Sequence, residues 1–517
     1  MSIRSHLVAI AGVAALSLLA AAPAGAQTSR NWTWCTNKGH ANSTDQQIQG
    51  CTAIINAAKE TRKNLSIAYN NRGNGYADKK QYQQALADYD HSLRLDPDYA
   101  IAYRNRGLSY NALKNYDRAI TDYDQAIRLN PRYDAAYNSR GSSYYSKRDY
   151  GHAIADYTEA LKINPNSSYP YRNRGLALVD KGDYDRAILD LDQAIRLDPK
   201  FVAAFNDRGR AYYSKGDYER AVADYSSAIK IDPNYTYGYR NRGQALISKK
   251  DYDRAILDLD QAIRLDPRYI DAYNDRGRAF FAKHDYDRAI VEWTEAIRID
   301  PNFTIGYRNR GLALLDKKLY DQAIADLDIA LKQDPKFISA LNDRASAYEG
   351  KGDYAHAVAD RDAAIKLDPN NMSTYRSRGY ANTYMGHYAD AAADLARVIE
   401  KSPTDAYPVI WHYLALARAG NGTALTELQV DASKIKQTEW PYPVAELFLG
   451  KRDLDAMVAA ATSDDQKCEA QYYGGMWNLI KKDNSRAAAM LKAAVDSCPK
   501  SFIEYSGATA ELSRLGH

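Results

Sequence analysis

Between Ser66 and Asp405 the apolar and aromatic residues recur on a ruler of 34 residues, marked most plainly by Pro97, Pro131, Pro165, Pro199, Pro233, Pro267, Pro301, Pro335, Pro369 and Pro403. Taking Ser66 as column 1 gives ten units ending at Asp405. Columns 4, 8 and 11, such as Tyr103, Gly107 and Tyr110, fall on one face of a helix. Columns 20, 24 and 27, such as Ala119, Tyr123 and Ala126, fall on one face of a second. Column 17 is Tyr and column 20 is Ala in every unit, and column 8 is Gly except at Ala345. A turn such as Lys181-Gly182-Asp183 separates the two helices. Asp or Asn before each Pro but the last, as in Asp198-Pro199, ends the second helix, because proline disfavours α geometry in the residue before it. A single hairpin leaves its apolar face uncovered, so the units must stack into a solenoid.

The period of 34, with this Gly, Tyr, Ala and Pro spacing, resembles the tetratricopeptide repeat family over 340 of the 517 residues. The resemblance implies an all-α, right-handed α-solenoid of antiparallel hairpins. It also implies that the outer faces of the first helices line a concave groove holding a peptide or protein partner. At about 100° per residue, columns 2, 5, 6, 9, 12 and 13 point away from the second helix. The groove would then carry Arg104, Arg172, Arg240, Arg308 and Arg376 at column 5, Arg210 and Arg278 at column 9, and Asn138, Asn206 and Asn274 between them. Such side chains grip carboxylates and peptide backbones. In the alternative reading, Asp207, Asp275 and Asp343 neutralise the arginines from the next unit. Of the column 5 Lys and column 9 Asn with which chaperone-binding relatives hold a carboxylate, only the Asn is met, at Asn74, so that activity is not implied.

Column 7 is Arg in all ten units and column 23 is Asp in nine, with Glu292 in the other. Facing columns of an antiparallel hairpin have nearly constant sums, so each Arg is expected to meet its own unit's carboxylate: Arg174 with Asp190, Arg242 with Asp258, Arg276 with Glu292. Column 5 alternates Asn and Arg, which points to growth from a 68-residue pair.

The ends read differently. Met1 to Ala26, with Arg4, an apolar run from Leu7 to Ala22 and Ala24-Gly25-Ala26, reads as an export signal cleaved after Ala26, placing the mature chain in the periplasm or outside the cell. No later segment has membrane-spanning character, so no integral membrane segment is expected after cleavage. Four cysteines allow three pairings. Proximity and export favour Cys35 with Cys51 and Cys468 with Cys498. Residues 27–65 read as an N-terminal cap, a loop followed by a lone helix from Gln46 to Glu60. Residues 406–517 read as degenerate repeats: a helix over 407–419, an irregular stretch over 426–442, a hairpin over 444–461 and a last unit starting at Cys468. This ending is similar to those of exported proteobacterial repeat proteins, some of them envelope lipoprotein adaptors.

Composition narrows the chemistry. A net charge of +4 argues against nucleic-acid binding. The excess of Tyr (43) over Phe (8) sits mostly at packing columns, so it reads as a thin core whose phenols reach water. No GxSxG, HExxH, P-loop or metal-ligand spacing occurs, so neither catalysis nor a cofactor nor a metal is expected. Two readings remain: a groove-binding scaffold or adaptor, and a structural subunit that self-associates or packs through its convex face or C-terminal cap.

Overall fold

The computed structural model describes residues 24–37, 39 and 41–516. The predicted export signal therefore lies outside the described residues except for its last three. Every regular element among the described residues is an α-helix. The chain forms two compact units, one ending at Lys249 and one starting at Lys250.

The first unit opens with α1 (Ala24–Thr36) and α2 (Thr44–Ala57), then runs from α3 (Arg62–Asp78) to α13 (Thr236–Ser248) as successive antiparallel hairpins. The second runs from α14 (Tyr252–Leu265) through α22 (Tyr388–Lys401) in the same way and ends in seven further helices. One repeat shows why the sequence folds so. In α10 (Tyr184–Leu197), the Asp183 carboxylate accepts from the Arg186 amide and caps the helix start; Ala187, Leu191 and Ala194 form the buried stripe. Asp198 turns extended before Pro199, and its carboxylate accepts the Lys200 amide at 3.0 Å. Column 15, between the helices, has positive φ in all ten units, from Lys80 at 60° to Gly386 at 80°. Glycine occupies it in four, and Lys, Arg or His bear the left-handed geometry in the others.

Column 8 is Gly because the second helix presses its largest side chain there. A Cβ on Gly107 would lie 2.6 Å from Tyr123 Cε1, and one on Gly277 2.8 Å from the Trp293 ring. Ala345 escapes the rule: in its unit the facing column holds Arg361 instead of a ring or Leu. Gly107→Ala is expected to cost about 1–3 kcal/mol by overpacking. Chemical denaturation checks this, with Ala345→Gly as a control that gains no packing stability.

The N-terminal cap differs from the sequence expectation. Ala24–Thr36 form a helix, not a loop, and α1 packs on α2 at Gly50, where a Cβ would lie 2.6 Å from the Asn31 carbonyl oxygen. The sulfurs of Cys35 and Cys51 lie at bonding distance, with Cα atoms 4.5 Å apart; those of Cys468 and Cys498 do likewise at 5.0 Å.

Beyond the ruler come α23 (Ala406–Arg418), α24 (Ala424–Ala432), α25 (Tyr442–Phe448), α26 (Leu454–Ala459), α27 (Asp464–Ile480), α28 (Asn484–Ser497) and α29 (Ile503–Leu515). Part of the stretch read as irregular is thus helical: Ala424, Leu428 and Ala432 bury one side of α24. The core here is a broad cluster around fully buried Trp411, which stacks on Tyr472 with ring centres 5.4 Å apart. The last helix returns to the repeats. Tyr384 of α21 (Met372–Met385) donates to the Ile503 carbonyl at 3.2 Å, and Arg514 donates to the Tyr384 carbonyl at 2.8 Å. Among the described residues no helix is long and apolar enough to cross a membrane.

Candidate protein-interaction surface

The column 7 arginines do what the hairpin geometry requires, and one thing more. In nine units, from Arg72–Asp88 to Arg378–Asp394, the guanidinium meets its own unit's column 23 carboxylate. Arg174 holds Asp190 through Nε and Nη2, both at 2.7 Å. In the remaining unit neither Arg242 nor Asp258 lacks a partner. The free Nη1 then reaches back to column 25 of the preceding unit: Arg106 to Asp90 at 2.7 Å, Arg174 to Thr158 at 3.0 Å, Arg242 to Ser226 at 2.9 Å. The column 4 ring packs beside the same cation, as Tyr103 does with its centre 5.5 Å from the Arg106 carbon. One side chain thereby closes its own hairpin and ties it to its neighbour. The Asp156 carboxylate raises the Arg140 guanidinium above its ordinary value, while burial raises the Asp156 carboxyl itself.

The column 5 residues read as groove-facing are largely spent on column 6 of the next unit. Arg172 donates to Asp207 and Arg308 to Asp343, each at 2.6 Å across 35 residues. Asn138 accepts from Asn173 at 3.1 Å, Asn206 from Asn241 at 2.8 Å and Asn274 from Asn309 at 3.0 Å, again across 35 residues. The 68-residue alternation therefore has a physical basis: first helices join alternately through an Asn–Asn bond and an Arg–Asp pair. Arg210 donates to Asp180 at 3.1 Å and Arg278 to Asp275 at 3.2 Å. Arg376 lies 3.4 Å from Asp405. Arg104 has Ser139 where Arg172 and Arg308 have Asp, and its Nε is buried without a hydrogen-bond partner. Arg240 is half-buried on α13 and is not without a partner.

With the charges so engaged, what stands out on the first-helix face is apolar. Column 2 carries Ile101 at 45% exposure, Tyr169 at 64% and Ile305 at 50%. In the second unit, α17 (Thr304–Asp316), α19 (Ile338–Gly350) and α21 border a cavity of about 500 Å3, which Lys500 to Ser506 wall on one side.

Family profiles described as "Tetratricopeptide repeat" match residues 66–99, 100–133, 135–167, 172–236 and 308–371, and one described as "TPR repeat" matches 243–283 and 277–318. Together they span more than half of the chain. The chain belongs to the tetratricopeptide repeat family. Among solved structures, MamA is 29% identical over 31% of this chain and 95% of its own, with a TM-score of 0.30. YrrB, a TPR protein with an unusual peptide-binding site, is 23% identical over 36% and 95%, at 0.31. Yeast Tom70 is 17% identical over 76% and 95%, at 0.40.

For a tetratricopeptide repeat chain, the informative residues of this face are the ones that break its rules. Column 2 apolar residues were visible in the sequence at 68-residue spacing, as Tyr169 and Tyr237 show. The third arm of the arginine bridge also left a trace, because column 25 holds Asp, Thr or Ser in the units from Asp90 to Asp362. Unit nine replaces the column 24 ring with Arg361, which donates to both oxygens of Glu349 at 3.1 and 2.8 Å, and that glutamate lines the cavity.

Proposed function

We propose that this tetratricopeptide repeat protein is a non-enzymatic interaction scaffold or adaptor of the bacterial cell envelope, exported and stapled by two disulfides, Cys35–Cys51 and Cys468–Cys498. Its partner, a protein or peptide, lies along the first-helix face. The observation that carries this reading is the contrast on that face. Its cations are mostly tied to acids of the fold, while Ile101, Tyr169 and Ile305 stand 45–64% exposed at one repeated position. Exposed apolar residues rimmed by satisfied polar groups are what an interaction surface presents. The apolar signal sequence and the paired cysteines support export.

Changing Ile101, Tyr169 and Ile305 together to Asp tests the reading. All three are exposed, so the helical circular dichroism should persist. Cross-linked capture of partners from native envelopes should fall at least about tenfold, as expected when several contacts of about 1 kcal/mol are lost. Undiminished capture of the same partners would reject the first-helix face as the binding surface.

A second reading, a subunit of an envelope assembly, draws on the second helices. Leu189, Leu257 and Val291 are 67%, 64% and 58% exposed there. In that case Leu189→Asp with Leu257→Asp abolishes self-association in sedimentation, and the first-helix triple variant leaves it unchanged.

A further inference from the structure

The C-terminal helix α29 closes over the first-helix face of the last repeat, and its seat contains two carboxylates that no cation balances. Glu504 and Glu469 are 2% and 5% exposed. Glu504 accepts from the Tyr473 phenol at 2.7 Å; Glu469 accepts from Tyr407 at 3.0 Å and from the Trp440 indole at 2.7 Å. Trp411 completes the chain by donating to Tyr473 at 3.2 Å.

The charged and titratable groups around them are accounted for. From α27 come Glu469, Tyr472 and Tyr473; from α23 come Tyr407 and Arg418; from α21 come Arg376, Tyr380 and Tyr384; from α22 comes Tyr388; Glu349 lies on α19. Arg418 pairs with Glu511 at 3.0 Å, Arg514 pairs with the same glutamate, and Arg376 goes to Asp405. Glu349 is held by Arg361. Among the described residues, no Lys, Arg or His forms an ion pair with Glu469 or Glu504.

We infer that α29 is a proton-operated latch: with Glu504 carrying a proton opposite Glu469 the helix is seated, and when that proton leaves to solvent, two uncompensated carboxylates face each other and the helix lifts. The consequence reaches the cavity of about 500 Å3, because Phe502, Ile503 and Ser506 form its wall beside Tyr354, Tyr380 and Tyr384. Unlatching opens that wall along the first-helix face. The latch stands on the fold alone and does not depend on which partner the face takes.

The direction in pH follows from burial, which pushes Glu504 up to about 7 from 4.5, with the Glu469 charge adding to the effect. A raised carboxyl binds its proton more tightly when seated than when released. The stabilisation is therefore full below about pH 4.5 and is lost as pH rises through 7.

Hydrogen exchange on the full-length protein at pH 5.5 and pH 8, corrected for intrinsic rates, reads the latch. Protection of amides 503–515 should fall about 30-fold between the two, while α15 (Ile270–Ala282) and α16 (Tyr286–Ile299) stay unchanged. Glu504→Gln, neutral at every pH, should hold the acid level of protection throughout. Should that variant fail to fold, Glu469→Gln serves instead, and the loss of protection should shrink and end at lower pH, because Glu504 no longer feels the Glu469 charge. Equal protection of the wild type at both values would overturn the inference. So would a glutamine variant that keeps the wild-type drop, or a loss spread over 406–497, which would mean unfolding of the whole C-terminal module.

Discussion

Replacing Arg208 with alanine lowers stability by about 3–5 kcal/mol, the usual consequence of stranding one partner of a buried ion pair. Asp224, 5% exposed, loses both of its short bonds to the guanidinium, at 2.8 and 2.6 Å. Asp192, the partner in the preceding unit, is 39% exposed at the side chain and recovers water, so it adds little. The face contact with the Phe205 ring also disappears. Asp224→Asn alone, and the double variant, complete a cycle whose coupling energy isolates the pair. Purely additive losses would show that the pair is not a unit. Long arrays unfold in pieces, so local hydrogen exchange over α11 (Val202–Ser214) and α12 (Tyr218–Ile231) is the readout to use. Neighbouring hairpins should loosen with them, because the same guanidinium joins two units.

The second large effect is expected at the C-terminal staple. Cys468 and Cys498 close a loop with a sequence separation of 30, and chain-entropy reasoning gives such a bridge about 3–4 kcal/mol. Cys468→Ser with Cys498→Ser, or reduction of the wild type, should lower the stability of 464–515 by that amount and leave 66–249 unmoved. The loss should reach α29 first. Cys498 ends α28 just ahead of Lys500 to Phe502, the segment that leads into the last helix. Equal stability of oxidised and reduced protein would mean that the cysteines contribute packing and no constraint.

The ten hairpins were legible because the same local signals recur: Tyr at column 17 and Ala at column 20 in every unit, a capping Asp in six, an Ala–Leu–Ala or Ala–Tyr–Ala stripe in six, and a proline stop in all ten. Antiparallel geometry alone assigned Arg174 to Asp190 before any coordinates. The ladder was half legible. Arg172 with Asp207 and Arg308 with Asp343 share a separation of 35, which exposes the pairing once one asks which residues lie beside each other in neighbouring first helices. The sequence left a free ladder and neutralisation by Asp207, Asp275 and Asp343 both open, because the pattern of one helix does not tell which neighbour its outer face meets. The ends were the least legible. In α24 the buried residues are two alanines and one leucine, too small to mark a period. The return of α29 joins residues more than a hundred positions apart, as Tyr384 to Ile503, and no repeat encodes that. The helix around Trp32 and Cys35 has no counterpart on the ruler.

The most direct test of the central claim, that partners are held on the first-helix face, places a photo-reactive p-benzoylphenylalanine at one of two exposed positions of the same repeat. Tyr169 lies on the first helix at 64% exposure and Leu189 on the second at 67%. The account predicts a cross-linked partner in native envelopes from position 169 and none from position 189. A partner captured from position 189 alone would contradict it and move the interaction to the second-helix face.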